Sequence, residues 1–201
     1  MQPQFDFEPA ARSLAAVVDG ITDDQLADPT PCAESTVRDL LAHVVGLTEA
    51  FRQAATKESV GRSAPPPAGS DSPLPDDWRT RIAAQLETLT SVWRVAEAWD
   101  GDTEAGGVEL PAAVMAIVAL DEITIHAWDL AVATGQQLTV TPADLAILHE
   151  FLRETDPAGT PGLFGPVVEI PADAPAFHRL LGLTGRDPAW RSATVASNPR
   201  A

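Results

Sequence analysis

Cysteine is nearly absent: Cys32 is the only one in 201 residues. No intrachain disulfide can form, and a four-cysteine zinc site is excluded. Lysine is as scarce, with Lys57 alone beside twelve arginines, a usage that fits a high-GC coding sequence and carries no functional meaning by itself. No uninterrupted apolar run approaches the ~20 residues that a membrane-spanning helix needs. The opening segment, MQPQFDFEPAARSLAAVV, has neither the basic start nor the apolar stretch of a secretory signal, so a cytoplasmic protein is expected. Basic charge is also in deficit. Against 29 acidic side chains stand 13 basic ones, a formal net charge of -16, and such a field repels phosphate backbones, which argues against a nucleic-acid partner.

What remains is a chain with 45% hydrophobic and 21% charged residues, enough to bury a core without staples and to exclude a disordered polymer. Its apolar positions recur mostly at helical spacing. Leu14, Val17, Val18 and Ile21 predict a first helix from about Pro9 to Ile21. Asp28-Pro29-Thr30-Pro31-Cys32 cannot be helix interior and predicts a rigid turn. A second helix is expected from Ser35 to about Ala55, with Thr36 as N-cap, Asp39 as its capping-box partner, and a stripe of Val37, Leu40, Leu41, Val44, Leu47 and Phe51. Residues 59–75, rich in Pro, Gly and Ser, have the composition of a mobile surface loop. A third helix is expected from about Asp76 to Trp99, a short hairpin from Thr103 to Leu110 around Gly106-Gly107, and a fourth helix from Pro111 to Thr134. Shorter helices at about Pro142–Glu154 and Ala174–Leu183 complete an all-α chain. The expected architecture is an up-and-down four-helix bundle over about 8–135 with a small C-terminal extension over 136–201, forming one domain of residues 1–201.

The fourth helix carries the chemistry. Val114, Met115, Ile117, Val118, Leu120, Ile123, Ile125, Trp128, Leu130 and Val132 leave it almost no polar face, so it should be buried. Yet Glu122, His126 and Asp129 lie within ~60° of one another on the helical wheel, a polar strip on an apolar rod. A carboxylate and an imidazole at i and i+4 are close enough to converge on one ion. His43, at the margin of the second helix's stripe, is the candidate third ligand. Two imidazoles and one carboxylate match known hydrolytic zinc sites, and nickel or iron accepts the same donors. Asp129 is expected to accept from an imidazole N–H and fix its tautomer, and Asp39, four residues before His43, is a second candidate for that part, although its first-turn position favours capping.

Four strings, DPTPC, TVRDLLAHVVG, DEITIHAWDLAVATG and LLGLTGRDPAW, resemble an actinobacterial family related to the N-terminal metal-binding domain of mycothiol-dependent maleylpyruvate isomerase. That family belongs to the wider DinB-like bundle superfamily, and the likeness runs from about residue 8 to 190. The resemblance implies a divalent metal, zinc foremost, on His43, Glu122 and His126, with an open position that receives water or a thiol such as mycothiol. It implies a thiol-dependent S-transferase or isomerase acting on small electrophiles. The alternative is a non-catalytic metal- or ligand-binding module, such as a sensor. Expected partners are thus a small-molecule thiol and an electrophile, without nucleic acid or membrane, and a homodimer is admissible. Two departures stand out: many relatives carry Pro-Gly-Trp where this chain has Ala33-Glu34-Ser35, and the isomerase has a further C-terminal domain that this sequence is not expected to contain. Maleylpyruvate isomerisation itself is therefore not assigned.

The remaining candidates have plainer readings. Cys32 reads as a small turn residue, and Trp93, Trp99 and Trp128 read as core packing. His149 and His178 are expected in solvent. Arg179, Arg186 and Asp187 suit either an anion or an ion-pair network.

Overall fold

A computed structural model describes residues 1–32, 35–64, 73–159 and 164–192. The fold is all-α with one small hairpin. The elements are α1 (Glu8–Asp19), α2 (Val37–Thr56), α3 (Trp78–Trp93), β1 (Asp102–Ala105), β2 (Val108–Pro111), α4 (Ala112–Ala133), α5 (Pro142–Leu152) and α6 (Ala176–Leu183), with single 3-10 turns at Asp23–Gln25 and Ala96–Trp99. No helix among the described residues is long and apolar enough to cross a membrane.

Helices α1 to α4 pack in a ring of order α1, α3, α2, α4. Side-chain contacts fix their directions. Phe7, at the entry to α1, stacks 5.8 Å from Trp93 at the end of α3, and Arg79 near the start of α3 donates to Ile21 O beyond the end of α1, so these two helices are antiparallel. Thr48 meets Gln85 and Trp93 Nε1 donates to Phe51 O at 3.1 Å, which makes α2 and α3 parallel. Gln136, just after α4, donates to Val17 O near the end of α1, so α1 and α4 run together. The expected four-helix bundle is present, but its directions run up, down, down, up in place of the expected up-and-down alternation. Its parallel neighbours need the long connection 57–77, of which 65–72 lie outside the described residues.

The core is continuous through the ring. Leu14, Leu41, Ile82, Leu89, Leu120 and Ile123 are fully buried, each at the helical spacing that faces a neighbour. At one end Phe5, Phe7, Trp93 and Trp99 form an aromatic plug with ring centroids 5.1 to 5.8 Å apart. This plug shortens α3. The apolar pattern predicts a third helix reaching Trp99, but it ends at Trp93; Val95 is extended, and Trp99 Nε1 folds back onto Trp93 O at 2.7 Å. The hairpin pairs Thr103 with Leu110, and both turn glycines, Gly106 and Gly107, have positive φ, as a two-residue turn of that twist requires. Its far side holds the loop after α2. Ser59 and Gly61 both bond Glu104, and Gly107 N donates to Ser63 Oγ, so residues 59–63 are pinned to the hairpin and do not form the free loop that their composition suggests.

The extension docks through α5 on α4 and α6 on α5. His149, expected in solvent, is half-buried and bonds Ala176 O at 2.9 Å, tying these two helices together. His178 is exposed.

Candidate metal centre

The start of α2 places His43. Thr36 caps the helix: its hydroxyl accepts from Asp39 N, and Asp39 Oδ2 accepts from Thr36 N at 3.0 Å and from its hydroxyl at 2.6 Å. Asp39 is thus engaged at the helix entry. Its carboxyl is held below the usual range by the Thr36 hydroxyl and backbone. One turn further on, His43 faces α4.

There Glu122 and His126 meet it. Glu122 Oε2 lies 3.0 Å from His126 Nε2 and 3.6 Å from His43 Nε2, and the two imidazole rings are edge to face at 5.0 Å. One ligand atom from each of the three lies within 4.8 Å of the other two, the convergence a single ion needs. Side-chain exposure falls from 36% at His43 to 18% at Glu122 and 9% at His126, so the cluster opens to solvent on the α2 side and is closed on the α4 side. Burial alone would raise the Glu122 carboxyl, but hydrogen bonds from His126 and His43 outweigh it and hold the group ionised. Burial works against the His126 cation as well. Its two carboxylate neighbours, Asp129 and Glu122, win and raise its proton affinity.

Asp129 is fully buried, and its Oδ2 sits 3.0 Å from His126 Nδ1. A carboxylate accepts, so Nδ1 carries a hydrogen, and Nε2, which donates to Glu122 at 3.0 Å, is the ring atom that a metal would take in place of that proton. On its other side the same oxygen accepts from Arg186 Nη2 at 3.0 Å, and Arg186 Nε approaches Oδ1 at 3.4 Å. Arg186 is 10% exposed. Cys32 also comes close: its thiol, His126 and Asp129 form a second group with ligand atoms within 4.8 Å. Of the departing string Ala33-Glu34-Ser35 that follows it, residues 33 and 34 lie outside the described residues.

Helical period alone therefore picks out His43, Glu122, His126 and Asp129, and the structure brings all four together. Three further participants are not visible in that pattern. Arg186 arrives from the extension. Cys32 arrives from the turn before α2. Asp121, 2% exposed, has an Oδ1 with no partner among the described residues, and burial, reinforced by Glu122, pushes its pKa up to about 8. A buried acid in the middle of an apolar helix was a signal available in the sequence, whereas the reach of Arg186 depends on long-range packing that no local pattern shows.

Bundle and cluster together define an all-α protein with a His–Glu–His candidate metal centre facing solvent. Comparison with known proteins gives the family. The chain belongs to the family of the mycothiol maleylpyruvate isomerase N-terminal domain, which it matches over residues 7–131. An uncharacterized protein of Mycobacterium tuberculosis strain CDC 1551 / Oshkosh is 31% identical over 147 residues, covering 73% of this chain and 75% of the relative, and an uncharacterized protein of strain H37Rv matches equally. The crystal structure of the mycothiol-dependent maleylpyruvate isomerase shares the fold, with a TM-score of 0.56 at 17% identity over 82% of this chain and 74% of that one. A mutant of the same enzyme superposes to the same extent.

Proposed function

We propose that the chain is a cytoplasmic, divalent-metal-dependent enzyme that uses a mycothiol-type thiol in an S-transfer or isomerisation reaction on a small electrophile. The observation that carries this reading is the convergence of His43, Glu122 and His126 within 4.8 Å. The donor set fits the group: two imidazole nitrogens and one ionised carboxylate suit zinc, and nickel or iron binds the same atoms. Three protein donors with solvent access at His43 favour an open position over a closed structural site. A divalent cation there supplies Lewis acidity and lowers the pKa of a thiol that ligates it.

The chain's own side chains set up that chemistry. Asp129 keeps a proton on Nδ1 of His126, so Nε2 is the nitrogen that would give its lone pair to the ion once its own proton is displaced. Glu122 contributes the single negative charge among the three donors. Behind His126 the buried pair of Asp129 and Arg186 closes the α4 side away from bulk solvent, which strengthens each electrostatic contact within. Family membership supports the thiol, because the named activity of the relatives of known function depends on mycothiol. The single unit of residues 1–201 is part of the proposal, since the extension reaches Asp129.

The test is elemental analysis of the purified protein beside His126→Ala. Wild type should carry close to one metal per chain, and the variant should lose at least ~10-fold in affinity, because two remaining donors rarely retain zinc. Full metal content in His126→Ala refutes the assignment. A conjugation screen with mycothiol and small electrophiles then tests the reaction, and a metal-loaded protein inert to every thiol would leave the sensor-type alternative standing in its place.

A further inference from the structure

We propose that Arg186, on the C-terminal extension, is a positioning residue for the metal centre: it clamps Asp129, which in turn aims the His126 ring at Glu122 and His43. This inference rests on the metal reading above.

The geometry is a chain of three links. His126 Nδ1 and Arg186 Nη2 share one oxygen of Asp129, each at 3.0 Å, while Arg186 Nε approaches the other oxygen at 3.4 Å. Gripped by the imidazole alone, a carboxylate can turn about its own axis and carry the ring with it. A planar fork on both oxygens fixes the plane of the carboxylate, which a point-charge ammonium cannot do.

Arg186 is itself held at several points. Helix α6 ends in a paired cap: Gly185 N donates to Gly182 O, Arg186 N donates to Leu181 O at 2.9 Å, and Gly185 sits at φ +78. This arrangement sets the direction in which residue 186 leaves the helix. Arg186 Nη1 then donates to Thr184 O at 2.8 Å, so the guanidinium is tethered to its own helix end as well as to α4. A guanidinium this deep is costly to bury, and the fully buried Asp129 is the group that compensates it. The plainer account is that the ion pair only fastens the extension to the bundle. The two accounts differ in whether the metal senses Arg186.

Full-length Arg186→Met and Arg186→Lys should be titrated with zinc against a chromophoric chelator, and their cobalt-loaded forms compared by visible absorption. Arg186→Met should bind zinc about 10-fold more weakly and shift the cobalt bands, in the range found for outer partners of metal-ligating histidines. Arg186→Lys should fall between it and wild type. In an Asp129→Ala background Arg186→Met should add no further loss, because the link through which it acts is already broken. Unchanged affinity and cobalt bands in a folded Arg186→Met, or in folded Arg186→Lys if the methionine variant does not fold, overturn the inference and leave the ion pair as a fastening. A wild-type protein that takes up no zinc overturns the metal reading itself, and this inference with it.

Discussion

One substitution, glycine to alanine, should have opposite effects at two positions, and the structure sets both signs. Gly185 occupies φ +78, and a Cβ there would stand 3.0 Å from the backbone of Gly165. The left-handed conformation costs an L-residue about 1–2 kcal/mol, and the close backbone approach adds to that. Gly185→Ala should therefore lose about 2 kcal/mol or slightly more, a fall in Tm of about 4–8 °C for a chain of this length. Gly46 lies in the exposed middle of α2, with no positive φ and nothing within 4 Å of the place a methyl group would take. There alanine should gain about 1 kcal/mol from helix propensity and raise Tm by about 2–4 °C. The assay is thermal unfolding by circular dichroism under identical buffer, with urea midpoints as a second measure. Both variants moving in one direction would refute the reasoning, since backbone conformation and available space alone set the two signs. Gly185→Ala carries a second expectation: because Arg186 leaves the helix through this residue, the variant should also weaken zinc binding.

Further outcomes follow from the same contacts. The Asp39 carboxyl, depressed by its bonds to Thr36, titrates lower in the folded than in the unfolded chain, so its contribution is present above the unfolded value near ~3.9 and is lost as pH falls through the folded one; Asp39→Ala should be less stable than wild type at neutral pH, and urea titrations should show the gap narrowing in acid. Cys32→Ser should keep any bound metal and any thiol-transfer activity, because Cys32 is not part of the His43–Glu122–His126 group; a metal-loaded but inactive Cys32→Ser would instead make the cysteine the nucleophile.

Much of this molecule is written in local pattern. The capping pair Thr36 and Asp39, the Gly106-Gly107 turn and the buried polar strip of α4 depend on residues a few positions apart, and each is readable as such. The end of α3 is not. No proline or glycine interrupts Trp93 to Trp99, and the helix stops because the indole of Trp99 takes the carbonyl of Trp93 within an aromatic plug assembled from the N-terminus and α3. Arg186 is hidden for a similar reason. Its neighbours Thr184 and Gly185 announce a helix end, but the partner lies 57 positions earlier, and only the docking of α6 brings the two together. His149 shows the same limit on a smaller scale, since its acceptor belongs to another helix.

The assembly of the centre from α2, α4 and the segment after α6 has a kinetic consequence. No contiguous fragment contains the set: α3 and the hairpin intervene between His43 and Glu122, and α5 and α6 between Asp129 and Arg186. Each of these meetings closes a long stretch of chain, whose entropy is lost before the contact rewards it, so they are expected to form late in folding. A cation bound there would stabilise contacts formed after the folding barrier. It would leave the folding rate nearly untouched and lengthen the lifetime of the folded chain, making the ion a brake on unfolding.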